Sequence, residues 1–92
     1  MHIRINTFKH QSKIAADGTR AILKYEVLQN IQGLLSIEVV NISDTHIVGI
    51  FKYENIEMAN KGAKIYVENL KKESNLKFET VEGPRAFYVE KN

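Results

Sequence analysis

An α+β fold is predicted for this chain of 92 residues, with the order strand, helix, strand, strand, helix, strand and both helices on one side of an antiparallel sheet. Three observations predict it. The opening stretch "HIRINTF" alternates with a period of two. Two further alternating runs, "LLSIEVVNI" and "HIVGIFKY", meet at the polar turn "SDTH". Two longer stretches between and after them carry apolar residues at spacings of three and four.

In the first strand Ile3 and Ile5 share one face, and His2, Arg4, Asn6 and Phe8 share the other. The wholly apolar face is expected to lie on the helices. From Ser12 to Gln32 the stripe Ile14, Gly18, Ala21, Tyr25 and Leu28 predicts a helix, bent or frayed near Asp17-Gly18. Ser12 is placed to cap its start, and Gly33 stands where a helix end favours positive φ. A hairpin centred on Asp44-Thr45 sets Asn41 opposite Val48, Val39 opposite Ile50 and Ile37 opposite Lys52. One face then collects Ile37, Val39, Val48 and Ile50, apolar enough to lie under helices. The other collects Ser36, Glu38, Val40, Gly49, Phe51 and Tyr53, and an error of one residue would exchange the faces of one strand against the other. Asn55 caps a second helix whose stripe is Ile56, Ala59, Ala63, Tyr66 and Leu70, ending near Asn75. A connector with Leu76, Phe78 and Val81 leads to a Gly83-Pro84 turn, and "RAFYVE" reads as the fourth strand.

Composition narrows the function classes. At 92 residues and 43% hydrophobic content the chain builds one modest core, and with no cysteine it has neither disulfides nor a thiolate metal site. A partner subunit is the remaining common way to bury more apolar surface. Thirteen basic against eleven acidic residues leave a charge of +2 without a basic block; Lys71-Lys72 runs at once into Glu73. That pattern argues against nucleic-acid binding. No secretory signal or membrane-spanning run is present, so a cytoplasmic protein is expected. His2, His10 and His46 have no metal-ligand spacing, and no phosphate-cradling glycine loop occurs.

The element order is the ferredoxin-like arrangement. The junction "NIQGLLSIEVV" and the passage "FKYENIEMA" add a resemblance to the antibiotic-biosynthesis-monooxygenase-like family. Its carriers are the helix-end glycine of Gly33-Leu34-Leu35-Ser36 and the aromatic two residues before the helix cap, Tyr53-Glu54-Asn55. The resemblance implies a dimeric α+β barrel, closed by two sheets packed face to face, with a pocket between each sheet and its helices. It implies a small-molecule-binding homodimer, with cofactor-independent oxygenation of an aromatic or other small organic substrate as the candidate chemistry. The alternative is a non-catalytic dimer of the same fold with a filled pocket.

The haem-degrading branch of that family uses a strand asparagine, a tryptophan ending the third strand and a helix histidine that binds haem. Asn6 and Tyr53 stand at the first two positions, but the histidine falls near Gly62. Haem chemistry therefore lacks its axial ligand, and no cofactor is expected. For oxygenation the candidate catalytic residues are Glu38 as base, Asn6 and Tyr53. Arg4, Phe51, Tyr66 and Tyr88 are the candidate substrate-binding residues. Each also has a structural reading. Arg4 and Asn6 would face the dimer interface, Glu38 would pair with Arg4 or Arg85 or sit in water, and the aromatics would be core.

Overall fold

The computed structural model describes residues 1–71 and 76–92, with the side chains of 67–71 excepted. β1 (His2–Lys9) leads into α1 (Lys13–Ile22), a π-helical turn (Leu23–Val27) and α2 (Leu28–Asn30). β2 (Leu34–Asn41), β3 (His46–Tyr53), α3 (Ile56–Lys71) and β4 (Lys77–Pro84) follow. The sheet is antiparallel in the order β2-β3-β1-β4. The chain thus has the ferredoxin-like β-α-β-β-α-β fold, with helices over one face.

All three junction residues, Ser12, Gly33 and Asn55, behave as the sequence predicts. Ser12 Oγ accepts a hydrogen bond from Ala15 N at 3.2 Å, and Asn55 Oδ1 accepts one from Met58 N at 2.9 Å. Gly33 takes φ +82° with Met58 packed against it, so a side chain there would be strained by both backbone and neighbour.

The faces of the sheet differ from expectation. In β1 it is His2, Arg4, Asn6 and Phe8 that are buried under the helices, while Ile3 and Ile5 lie on the open face. Partners make this tolerable: the polar groups on the inner face find hydrogen bonds across the sheet and on α3, as buried polar groups must. The hairpin register is also one residue off the prediction, with Asn41 opposite Ile47, Val39 opposite Gly49 and Ile37 opposite Phe51. The turn explains it. Ile42 N and Ser43 N both donate to His46 O, and Ser43 Oγ accepts from Thr45 N and His46 N. Arg20, reaching over from α1, donates to Asn41 Oδ1 and to the carbonyls of Ser43 and Asp44 at 2.9–3.1 Å. The resulting loop brings Ile47, Gly49, Phe51 and Tyr53 inward and turns Val48 and Ile50 outward. A bulge between Leu34 and Ser36 lets Leu34 and Ile37 face the same side.

The first helical stripe is Ala16, Thr19, Leu23, Val27 and Ile31, not the predicted one, and Ile14 is 85% exposed. Three successive steps of four drift about 120° around an ideal α-helix. The π turn absorbs that drift and keeps Leu23, Val27 and Ile31 on the core. On α3, Ala59 is buried and Tyr66 half-buried, but Ile56 is exposed. The predicted helix end near Asn75 and the packing of Leu70 lie outside the described residues. The fourth strand is Lys77–Pro84 rather than "RAFYVE". Phe78, Thr80 and Glu82 alternate inward beside Phe8, Asn6 and Arg4, and the strand ends at Pro84, which has no N–H to donate.

Two glycines test the packing. Gly18 in α1 has open space around it, so Gly18→Ala should stabilise the fold by about 0.5–1 kcal/mol. Gly62 in α3 offers the same propensity gain, but a Cβ there would lie 2.8 Å from Ile31 Cγ2 and 3.1 Å from Tyr53 Cε1. Overpacking typically costs about 1–3 kcal/mol, so Gly62→Ala should come out destabilising. Thermal melts of the two variants should move in opposite directions.

Candidate functional site

Between the inner sheet face and the helices lies a cavity of about 30 Å³, lined mainly by Phe8, Leu23, Phe51, Tyr66 and Phe78 with four polar residues among them. Those four are Arg4, Asn6, Thr19 and Tyr53, each at most 6% exposed. Burial of polar side chains beside one apolar space costs stability unless they are bonded. Their hydrogen bonds therefore show which groups remain for a ligand.

Arg4 donates from Nη1 to Ala59 O at 2.8 Å, and from Nη2 to Glu82 Oε1 at 2.9 Å and Asn60 Oδ1 at 3.3 Å. Its Nε is buried with no partner among the described residues. Asn6 Oδ1 accepts from Thr80 Oγ1 at 2.7 Å. That leaves the amide N–H₂ for other partners. Burial pushes the Tyr53 phenol up from its ordinary range, with Arg4 opposing and Glu82 adding to the shift. Tyr53 therefore stays protonated at neutral pH and can donate. The Tyr66 hydroxyl accepts from Asn30 Nδ2 at 3.1 Å, which ties α2 to α3. Behind Arg4, Glu82 Oε1 also meets His2 Nε2 at 2.8 Å, and hydrogen bonds from Arg4 and His2 hold its carboxyl below the usual glutamate range.

Five of the seven predicted site residues converge here: Arg4, Asn6, Phe51, Tyr53 and Tyr66. Arg4 and Asn6 do not face an interface on the open side of the sheet. The other two residues lie elsewhere. Glu38 and Tyr88 sit on the opposite, open face, beside Lys52 and Arg85, with Glu38 exposed. Glu38 is therefore not in the cavity as a base, and its side chain does not pair with Arg4; Glu82 holds that place. Thr19 and Glu82 were missed. Thr19 interrupts an apolar helical stripe, which is a legible signal once the stripe is set correctly. Glu82 becomes visible only when Lys77–Pro84 is read as a strand across from Arg4.

A haem does not fit this cavity. The resemblance would set an axial histidine near Gly62, which has no side chain, and Ile31 and Tyr53 already occupy the space that a Cβ there would take. Among the described residues no cluster of three metal-ligating side chains occurs, and no helix is long and apolar enough to cross a membrane.

No family model and no curated protein sequence matches the chain. Solved structures do. SnoaB, a cofactor-independent oxygenase from Streptomyces nogalater, superposes with a TM-score of 0.77 at 9% identity, over 98% of this chain and 97% of that one. A dimeric ferredoxin-like protein from an uncultured marine organism gives 0.71 at 13% identity, over 99% and 100%. The ActVA-Orf6 monooxygenase of Streptomyces coelicolor, solved with nanaomycin D, gives 0.61 at 16% identity, over 97% and 92%. The structural neighbours are thus antibiotic-biosynthesis-monooxygenase-like proteins, and the fold is theirs.

Proposed function

We propose that the chain acts as a homodimer paired through its open sheet face and binds a small oxygen-bearing organic molecule in the inner cavity. Cofactor-independent oxygenation of an electron-rich aromatic ring is the chemistry we assign to it. The observation that carries this reading is the lining: Arg4, whose buried Nε has no partner among the described residues, Asn6, whose amide N–H₂ is not used by its bond to Thr80, and Tyr53 all border one apolar cavity. A purely structural core would hold apolar atoms there. Donors beside a buried cation favour an acceptor oxygen that gains negative charge, such as a phenolate reacting with dioxygen. With Glu38 on the other face, the described cavity holds no carboxylate base, so the substrate's own acidity supplies the phenolate. For 1-naphthol the balance is one dioxygen in, with 1,4-naphthoquinone and one water out. Dioxygen is the four-electron oxidant.

A second reading follows from the cavity's size. About 30 Å³ holds a water or two and no ring, so a ligand must displace the aromatics. If they do not yield, the chain is a non-catalytic dimer with a filled pocket. Titration with 1-naphthol, with oxygen uptake followed in parallel, separates the two. Wild type should bind and consume oxygen, and Tyr53→Phe, which keeps the ring and removes one donor, should bind about tenfold more weakly. Absence of both binding and uptake from a folded dimer would leave the filled-pocket reading standing.

A further inference from the structure

We propose that Tyr66 is the movable wall of the inner cavity and that its hydrogen bond to Asn30 is the latch on that wall; this rests on the ligand-binding reading above. A cavity of about 30 Å³ admits no ring until a side chain leaves. Five aromatics border it, and four of them are held. Phe8, Phe51 and Tyr53 are at most 4% exposed on the inner sheet face. Phe78 is partly exposed, but it sits on β4 with its ring edge-on to Phe8. Tyr66 is the one of the five that stands on a helix. It is half-buried, and the partly exposed Ala63 and Ile22 border the cavity with it.

The latch is a surface bond. Asn30 Nδ2 donates to the Tyr66 hydroxyl at 3.1 Å, where water can take over either group. A helical residue has two accessible χ1 wells, so the ring can change place without the backbone. α3 packs mainly against β1, β2 and β3, which keeps the helix in position when the ring leaves. Asn30 is the fixed side of the latch. It precedes Ile31, which is 5% exposed and lies where a Cβ on Gly62 would come within 2.8 Å. That contact closes the Gly62 end of the cavity, so the opening is at Tyr66. The ring space that Tyr66 gives up is of the order of the roughly 150 Å³ that holds benzene in an engineered apolar cavity. A ligand with one flat ring inside, its oxygen toward Arg4, Asn6 and Tyr53, is the class that fits. Because the latch exists only while the cavity is shut, it lowers the open fraction and with it the apparent affinity.

The test is stopped-flow binding of 1-naphthol to wild type, Asn30→Ala, Tyr66→Phe, the double variant and Tyr66→Ala, with circular dichroism checking that each fold is kept. Breaking the latch should raise the association rate about fivefold, the scale of one surface hydrogen bond. The dissociation rate should stay unchanged, because the latch is already broken in the complex. Asn30→Ala and Tyr66→Phe should match, and the double variant should add nothing, since both remove the same bond. Losing this hydrogen bond thus tightens binding, whereas losing the Tyr53 hydroxyl weakens it. Wild-type binding with the same rates in both latch variants, or with faster dissociation instead, overturns the latch and leaves the ligand-binding reading standing. Binding by Tyr66→Ala alone overturns the movable wall: Tyr66 is then a fixed plug, and the filled-pocket reading holds. No binding by any of the five proteins overturns both the wall and the ligand-binding reading.

Discussion

Phe8→Ala should cost about 3–5 kcal/mol, the largest loss expected from any single truncation discussed here. Phe8 is 1% exposed, near the end of β1, and meets the Phe78 ring edge-on at 5.3 Å between centroids. Its removal deletes a large buried ring, leaves Ile47 and Phe78 facing a void, and loses an aromatic pair worth about 0.5–1.5 kcal/mol beyond its area. A domain of this size has a total stability of roughly 5–14 kcal/mol. The midpoint of thermal unfolding should therefore fall by about 12 °C or more. Ile14→Ala is the matching control. Ile14 opens the stripe that the sequence suggests for the first helix, yet it is 85% exposed, so its truncation should stay within about 0.5 kcal/mol. A large loss for Ile14 and a small one for Phe8 would mean that the helix and strand faces are assigned the wrong way round.

That contrast shows how much of the molecule the sequence made legible. Caps and junctions were readable because they depend on local chemistry: Ser12, Gly33 and Asn55 each do what their side chains or backbone allow in isolation. Element order was readable for the same reason. The facing of the strands was not. In β1 the apolar pair Ile3 and Ile5 looks like the core side, but the inner side is polar because Glu82, Ala59 O and Thr80 are waiting across the sheet and on α3. No local rule reveals partners that lie more than fifty residues away. The hairpin register depended on Arg20, a helix residue that clamps the turn, and the helix stripe depended on a π turn that no 3.6-residue template contains. The site inherited these outcomes. Arg4, Asn6, Phe51 and Tyr53 stand out by their chemistry and converge in the cavity although the sequence suggests the opposite face for β1, because they share one face of neighbouring strands in the true register. Glu38 has the chemistry of a base but not the position, since pairing opposite Ile50 rather than Phe51 puts it outside.

Glu82→Gln should destabilise the protein more than Arg4→Met, although both break the same ion pair. The asymmetry comes from burial: the Arg4 side chain is 7% exposed and that of Glu82 36%. Losing Arg4 leaves a carboxylate that water can reach, so the cost is one charged hydrogen-bond set. Losing the charge of Glu82 leaves a buried guanidinium with no carboxylate beside it, since glutamine offers Arg4 and His2 only a neutral amide oxygen alongside Ala59 O and Asn60 Oδ1. An unpaired buried charge costs about 3–5 kcal/mol, which water at the half-exposed carboxyl reduces to about 2 kcal/mol here. The double variant should recover part of that loss, since no charge is then left behind. Acid should imitate the substitution. The folded-state carboxyl of Glu82 is held below its unfolded value by Arg4 and then His2, so its contribution is complete above the ordinary glutamate range. It disappears as pH falls through the lower folded value. Wild-type melts should therefore decline toward acid more steeply than those of Glu82→Gln, which has no such proton to bind. Parallel profiles for the two proteins would show that this carboxylate does not hold Arg4, and the donor set of the cavity would then need another anchor.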